Sequence, residues 1–279
     1  MREILVQEVS DAVRELCIKI NYELSEDMQA LLKDAVDTET SQLGCKVLKT
    51  LQENLIVAKE EQIPICQDTG MAVVFLEVGQ DVHFVGGNIE DAINDGVRRG
   101  YEEGYLRKSV VSDPIERTNT GDNTPAVIHY TIVSGDKVKI TVSPKGFGSE
   151  NMSRIFMKKP ADGIDGVKDA ILTAVRDAGP NACPPMVVGV GVGGTFEKAA
   201  ELSKEALAGI VSPYNRSWVD GLEREMLDEI NASGIGPGGL GGKVTALSVK
   251  INTFPTHIAG LPVAVNICCH VNRHCSKVL

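Results

Sequence analysis

Apolar residues at intervals of three and four predict that the beginning of the chain is helical. Val9, Val13, Leu16 and Ile20 would share one face of a helix over about residues 6–22. The segment 40–60 repeats the same spacing. We therefore predict three amphipathic helices in the first ~60 residues.

Beyond this region the pattern changes to short β-rich runs that are separated by turn residues. The run 71–79 follows an Asp-Thr-Gly turn, and two runs at 126–143 enclose Ser-Gly-Asp, which predicts a hairpin. Asn88 can cap a helix that continues to about Leu106. Further helices are predicted at about 163–178, 195–209 and 217–232, and further strands at about 184–194, 243–253 and 261–267.

These elements predict a mixed α/β fold, in which an N-terminal helical region precedes mixed sheets with flanking helices. We expect a single domain over residues 1–279, divisible into a helical lobe at about 1–60 and an α/β lobe at about 61–279.

Charge and hydropathy narrow the class of protein. The formal net charge of −10 argues against a nucleic-acid partner, because phosphate binding needs clustered Lys and Arg. The N-terminus mixes charges into an amphipathic pattern instead of a signal sequence, and no run reaches the ~18 apolar residues of a membrane span. We expect a cytoplasmic protein with no membrane contact.

The seven cysteines carry the candidate chemistry. An odd number of cysteines in a long chain without a signal sequence favours free thiols, metal ligands or catalytic residues over a set of disulfides. Cys17 and Cys45 lie on amphipathic helices and are interpreted as core residues. Cys66, Cys183 and Cys269 each lie at the boundary of an element, where thiolates could hold a soft metal or an iron–sulfur cluster. Their spacing alone leaves core packing an equal alternative.

Two competing interpretations come from other local strings. Residues 268–275 place cysteine and histidine ligands close together, which could form a zinc site in an interaction module, although the usual paired spacing is missing. Residues 189–194 match G-x-G-x-x-G, as in a nicotinamide-dependent oxidoreductase, but no acidic residue follows about 20 residues later. Close packing of strand against helix is therefore the preferred explanation of these glycines.

Three other residues are candidates because of their place in the chain. Asp68 follows Cys66 by two residues, and His257 precedes the strand that leads to Cys269, so we expect both near any site that the thiols form. Arg107 would offer a bidentate guanidinium to a dicarboxylate. Each also has a structural interpretation. Asp68 could be a turn residue, His257 a lone structural histidine, and Arg107 a solvated charge at a helix end.

Several motifs together resemble the class I fumarases and the α subunits of two-subunit fumarate and L-tartrate dehydratases. They occur in the family's order and span about residues 10–275: ICQDTG (65–70), NTPA (123–126), KGFGSEN (145–151), ACPP (182–185) with GGT (193–195), and CHVNR (269–273).

The resemblance implies an oxygen-sensitive [4Fe–4S] cluster on Cys66, Cys183 and Cys269, with Cys268 as the alternative third ligand. One iron would bind a small dicarboxylate, as in the hydration of fumarate to L-malate in the tricarboxylic acid cycle. L-tartrate dehydration is the alternative. The implied contacts with the substrate come from Gln67, Asp68, Arg107, Gly146, Gly148 and His257, with Asp68 and His257 as catalytic candidates.

Two departures from the family pattern qualify these expectations. Asn272 stands where single-chain relatives have aspartate, which bears on the choice of substrate. We also expect the second domain, which supplies further arginines and the proton-transfer group in those relatives, to have no counterpart within residues 1–279. We therefore expect a separate β subunit, in an αβ heterodimer or an (αβ)2 assembly.

Overall fold

The computed structural model describes residues 1–279 and confirms the mixed α/β class. Its α-helices are α1 Val6–Tyr22, α2 Glu26–Thr38, α3 Gln42–Glu61, α4 Ile89–Glu103, α5 Phe147–Glu150, α6 Gly163–Ala178, α7 Phe196–Leu207 and α8 Val219–Ala232. Its strands are β1 Arg2–Leu5, β2 Met71–Gly79, β3 Val82–Val85, β4 Val127–Val133, β5 Val138–Lys145, β6 Arg154–Lys158, β7 Met186–Gly193, β8 Ala246–Phe254, β9 Leu261–Cys268 and β10 Cys275–Val278. None of the helices combines the length and the apolar character that a bilayer crossing requires.

The chain divides into two compact units, and the division does not run near residue 60 as expected. Residues 1–25, 54–147 and 273–279 form the first unit, and residues 26–53 and 148–272 form the second. The three predicted N-terminal helices exist, but α2 and most of α3 belong to the second unit.

The first unit has a four-stranded sheet in the order β10-β5-β2-β4 and a separate parallel pair of β1 with β3. One face of α1 and of α4 packs on the apolar side chains of β2 and β5, and this forms the core of the unit. The side chain of Asn88 caps α4, as predicted, by accepting hydrogen bonds from the N–H groups of Glu90 at 2.8 Å and Asp91 at 3.2 Å.

Replacing this cap should have a measurable effect on stability. Asn88→Ala leaves two N–H groups of the first turn without their acceptor, so we expect it to lower the free energy of unfolding by about 1 kcal/mol. Urea denaturation measures this difference. Asn88→Ser, which keeps a capping oxygen, should stay within a few tenths of a kcal/mol of the wild type.

The predicted hairpin is wrong, because β2 lies between β4 and β5. β4 runs parallel to β2 and β5 runs antiparallel to it. The turn between β4 and β5 passes close to the end of β2, where a Cβ on Gly79 would lie 2.5 Å from the carbonyl oxygen of Gly135. The central strand β2 is apolar on both faces and pairs on both sides, which the local turn signal cannot reveal.

The second unit has a four-stranded sheet in the order β6-β9-β7-β8. β8 is parallel to β7, and β9 is antiparallel to β7. The core of this unit lies between the sheet and the apolar faces of α6 and α8, whereas α7 packs against β7. The predicted helices and strands of this region are all present within a few residues of their expected ends.

Candidate metal centre

Cys66 lies in the loop that joins α3 to β2 in the first unit, and the backbone of this loop is fixed on both sides. The N–H of Ile65 donates to the carbonyl of Asn21 at 2.9 Å, and the side-chain amide of Asn54 donates to the carbonyl of Ile65 at 2.9 Å. Cys66 is half-buried, and its thiol donates to Oε1 of the exposed Gln67 at 3.4 Å. The thiol thus lies at the surface of the unit on an ordered backbone.

Asp68 has the turn geometry that the alternative interpretation expected. Its Oδ1 accepts from the N–H of Gly70 at 3.0 Å, and its Oδ2 accepts from the N–H of Phe147 at 3.0 Å. Gly146 leaves room for this carboxylate, because a Cβ at this position would lie 3.0 Å from Oδ2 of Asp68. A carboxylate accepts about four hydrogen bonds in all, so Asp68 keeps capacity for a further contact while its orientation is fixed.

Two buried side chains that the sequence did not assign to the site, Tyr101 and Asn123, hold the same turn in place. The hydroxyl of Tyr101 lies 2.8 Å from the carbonyl of Thr69 and 3.0 Å from that of Gly70, and Nδ2 of Asn123 donates to Gly70 at 3.1 Å. Burial raises the pKa of Tyr101 far above its ordinary value, so its phenol remains a donor. Asn123 belongs to the NTPA motif, whereas Tyr101 gave no signal beyond an apolar helix position.

Arg273 is a third anchor of the Cys66 loop. This residue is 3% exposed, and its guanidinium donates to the carbonyl of Asp68 at 2.9 Å and to Oδ1 of Asn21 at 2.7 Å. The arginine of the CHVNR motif therefore positions the loop of the first cysteine instead of facing solvent.

Asn272, the departure from the expected aspartate, lies in the second unit and is also buried. Its Nδ2 donates to the carbonyl of Leu207 at 2.9 Å. A carboxylate has no donor for this bond, so the amide suits this environment better than aspartate would.

Arg107 follows α4 and is exposed. Its carbonyl accepts from Oγ1 of Thr69 at 3.1 Å, which joins its backbone to the Cys66 loop. The first unit thus brings together five of the predicted residues: Cys66, Gln67, Asp68, Arg107 and Gly146.

Cys183 and Cys269 lie at the same end of the sheet in the second unit. Cys183 ends a short 3-10 helix, Gly179–Ala182, three residues before β7, and Cys269 directly follows β9. Val187 pairs with Cys268 across the two strands, and Nδ1 of His270 lies 3.3 Å from the carbonyl oxygen of Cys183. Spacing alone could not establish this convergence, because 85 residues separate the two thiols.

Cys183 adopts a left-handed backbone conformation, with φ 53° and ψ 62°. A residue with a Cβ pays about 1–2 kcal/mol for this conformation, and glycine would adopt it without that strain. The Cys183 side chain is exposed, so core packing does not explain it.

Burial distinguishes some of the cysteines, none of which forms a disulfide. Cys17 is completely buried, as predicted, and burial raises the pKa of its thiol to about 12. Cys45 is only half-buried, so its prediction as a core residue was wrong. Cys268 is 3% exposed at the end of β9, whereas its neighbour Cys269 is half-buried. Of these two neighbours, Cys269 has the more accessible side chain.

His257 lies at the opposite end of β9 from Cys269, although we expected the two residues side by side, and its role in the site stays a prediction. It lies between β8 and β9, and it is exposed, with Nδ1 accepting from the N–H of Ala259 at 3.1 Å. The eight residues of β9 carry the chain roughly 26 Å from this end of the sheet to Cys269. A full strand therefore separates His257 from Cys269 within this chain.

Gly148 belongs to the second unit and is exposed in α5. It follows Phe147, whose N–H donates to Asp68. No side chain comes within 4 Å of the position where a Cβ of Gly148 would lie, so its backbone remains open.

The glycine-rich loop at 234–243 supports the turn of Cys183. The N–H of Gly238 donates to the carbonyl of Pro184 at 2.8 Å, and a Cβ on Gly239 would lie 2.3 Å from Cβ of Pro180. Glycine at position 239 therefore allows the loop to approach the cysteine turn closely.

Glu39 fixes the other end of this glycine-rich loop, and it gave no signal in the sequence. Its buried carboxylate accepts four backbone hydrogen bonds of 2.7–2.9 Å, from Thr40, Ser41, Lys243 and Val244. Burial by itself would raise the pKa of Glu39, but these four bonds together lower it below its ordinary value. The ionised carboxylate thus occupies a nest of N–H groups.

The glycines of the G-x-G-x-x-G string serve close packing, as the alternative interpretation held. Gly189 and Gly191 lie within β7 and face α7, where a Cβ would come within 2.3 Å of the carbonyl oxygen of Ser203 and 2.0 Å of that of Ala199. They do not form a phosphate-binding turn at a helix N-terminus.

The zinc interpretation has little support in the structure. Cys268 ends β9, whereas Cys275 begins β10 and pairs with Val142. Residues 268–275 are thus divided between two strands. Neither unit contains a group of three or more His, Cys, Asp or Glu side chains that could hold a metal ion.

Comparisons with known proteins identify the family of this chain. The family model for fumarate hydratase (Fumerase) matches residues 10–278. The chain therefore belongs to the fumarate hydratase family, a family of hydro-lyases.

Two relatives are similar to this chain over nearly its whole length. The chain is 40% identical over 276 residues to a Methanocaldococcus jannaschii protein named provisionally as an L(+)-tartrate dehydratase subunit alpha, covering 96% of each chain. It is 30% identical over 273 residues to the L(+)-tartrate dehydratase subunit alpha of Escherichia coli strain K12, covering 96% of this chain and 89% of that relative. Both relatives are named as α subunits.

Proposed function

We propose that this chain is the α subunit of an iron–sulfur hydro-lyase that acts on a small dicarboxylate, with fumarate and L-malate as its first substrate pair. The observation that carries the proposal is the convergence of Cys183 and Cys269 at one end of the second sheet. The strained backbone and exposed thiol of Cys183 support it, because neither suits a cysteine that only fills a core.

The ligand set of a [4Fe–4S] cluster would be Cys183, Cys269 and, from the first unit, Cys66. With three thiolates, such a cluster has one iron open as a Lewis acid for a substrate hydroxyl. Cys269 is the preferred third ligand over Cys268, since the latter is buried in β9.

The residues around Cys66 suit recognition of a dicarboxylate. Gln67 offers an amide donor, and the exposed guanidinium of Arg107 can pair with a carboxylate through two parallel hydrogen bonds. Asp68 would contact the substrate with a carboxylate whose orientation two N–H groups fix. Tyr101, Asn123 and Arg273 hold this turn in place, which preserves the orientation that binding requires.

L-tartrate is the second candidate substrate, and the names of both relatives favour it. L-tartrate differs from L-malate by one additional hydroxyl, so discrimination depends on the groups that face this hydroxyl. We propose that a β subunit supplies part of the site, including the proton-transfer group, because the relatives are α subunits.

Anaerobic purification with and without the β subunit, followed by assays on fumarate, L-malate and L-tartrate, tests the proposal. We expect a brown protein with about four irons per chain, broad absorbance near ~400 nm, and turnover only when both subunits are present. A colourless chain with one tightly bound zinc would contradict it. Activity that survives prolonged exposure to air would contradict the role of an open iron.

A further inference from the structure

The strand β4 forms one edge of the sheet in the first unit and is unusually exposed for its composition. It pairs only with β2, in a continuous register from Val127 to Val133 without a bulge. Its exposed side chains include Val127 at 39%, Tyr130 at 41% and Ile132 at 68%. An edge of this kind presents unpaired N–H and C=O groups together with apolar surface.

The other edges of the two four-stranded sheets have features that oppose pairing. β10 is four residues long and contains Lys277, β6 contains Arg154 and Lys158, and β8 contains Lys250. Charged side chains on an edge disfavour association with another strand. β4 is seven residues long, and it contains no lysine, arginine, aspartate, glutamate or proline.

The sequence of β4 is nearly identical when it is read in either direction. About Tyr130 at the centre, Val-Ile-His-Tyr-Thr-Ile-Val places valine opposite valine at positions 127 and 133. Isoleucine is opposite isoleucine at 128 and 132, and only His129 and Thr131 differ. Two antiparallel copies of this strand would therefore match along their whole length.

A two-fold axis perpendicular to the sheet and midway between the two copies of Tyr130 keeps opposed side chains on the same face. One face would then carry an apolar row that contains both tyrosines and all four isoleucines, and the other would pair valine with valine and histidine with threonine. Cross-strand pairs of aromatic and β-branched residues stabilise antiparallel strands, and no like charges meet. Such a self-matching patch is what a two-fold dimer interface requires.

We propose that β4 pairs antiparallel with β4 of a second copy of this chain, so that two four-stranded sheets join into one continuous sheet across the dimer axis. The contact is independent of the proposed function, since it involves none of the cysteine loops. It would provide the contact between α subunits in an (αβ)2 assembly.

Directed crosslinking gives a specific test of the register. In the proposed pairing residue 130 faces its own counterpart, with Cα atoms about 4.5–5.5 Å apart, which is within reach of a disulfide. We expect Tyr130→Cys to form a covalent dimer under a mild oxidant, and peptide mapping should locate the bond at position 130. Val127→Cys is the matched control, because residue 127 faces residue 133 and should not crosslink with itself.

A second variant tests the contribution of this edge to association. Tyr130→Lys places two ammonium groups opposite each other, so we expect the dimer dissociation constant to rise at least about tenfold. Ile115→Lys makes the same change of charge at a side chain 86% exposed in another part of the first unit, and it should leave the constant unchanged. Sedimentation of the wild type should show tighter association as salt rises, because each chain carries a net charge of −10.

Three results would overturn the proposal. A wild-type chain that stays monomeric at all concentrations and salt levels would do so. A dimer that Tyr130→Lys leaves intact, without a crosslink at position 130, would place the contact elsewhere. The third result is a monomeric wild-type chain in which Tyr130→Lys weakens only the binding of the β subunit. The edge strand β4 would then be the surface that contacts the β subunit.

Discussion

Anaerobically purified Cys66→Ser, Cys183→Ser and Cys269→Ser are each expected to lack an intact cluster and to have no measurable turnover when the β subunit is added. A serine hydroxyl is a far poorer ligand for iron than a thiolate, and a set of three ligands cannot lose one and still hold the cluster. Iron content and absorbance near ~400 nm measure the loss directly, without reference to activity.

Four other variants serve as controls for this prediction. Cys17→Ala, Cys45→Ala and Cys275→Ala should keep their iron, because these cysteines lie outside the proposed ligand set. Cys268→Ser distinguishes the two neighbours at the end of β9. Full iron content in Cys269→Ser together with none in Cys268→Ser would show that the buried thiol is the ligand.

Cys183→Gly separates ligation from folding at the same position. Glycine relieves the left-handed strain of about 1–2 kcal/mol, but it costs roughly 0.5–1 kcal/mol in chain entropy. We therefore expect the free energy of unfolding of the iron-free protein to be unchanged or slightly higher, while iron binding is lost. A destabilised Cys183→Gly protein would indicate that this thiol contributes to packing.

The sequence predicts most of the fold where local signals and tertiary packing agree. Spacing of apolar residues located α1, and Asn88 located the start of α4, because both signals act within one element. The position of β2 between β4 and β5 could not be predicted, because a short turn with glycine favours a hairpin unless a third strand occupies the space. The assignment of α2 to the second unit depends on long-range packing and likewise has no local signal.

The sequence predicted only part of the candidate site, because local signals are visible in a sequence and long-range contacts are not. The motifs identified the loops of Cys66 and Cys183, since turn residues and cysteines are visible in a sequence. Tyr101 and Glu39 were missed, because their roles depend on hydrogen bonds to residues far away in the chain. His257 lies a full strand away from Cys269, which distance along the chain does not reveal.

Glu39→Gln is expected to lower the free energy of unfolding by about 2–4 kcal/mol at neutral pH. An amide can keep the three bonds that Oε1 accepts, but its NH2 group would face the N–H of Val244, and the charge assistance is lost. The glycine-rich loop should loosen, so the amides of Lys243 and Val244 should exchange faster with deuterium. Glu229→Gln, at an exposed position, should stay within about 0.5 kcal/mol of the wild type.

The loss of stability in Glu39→Gln should also depend on pH, and the lowered pKa of Glu39 determines in which direction. The pKa of Glu39 is lower in the folded chain than its ordinary value of about 4.3, so its stabilisation is complete above that pH. It is lost as the pH falls through the folded pKa, because the carboxyl group then takes up a proton. The difference in stability between wild type and Glu39→Gln should therefore be constant from about pH 6 to 7 and shrink below about pH 4. A difference that stays constant down to pH 3 would show that the charge of Glu39 does not hold the loop, and that the shape of its side chain does.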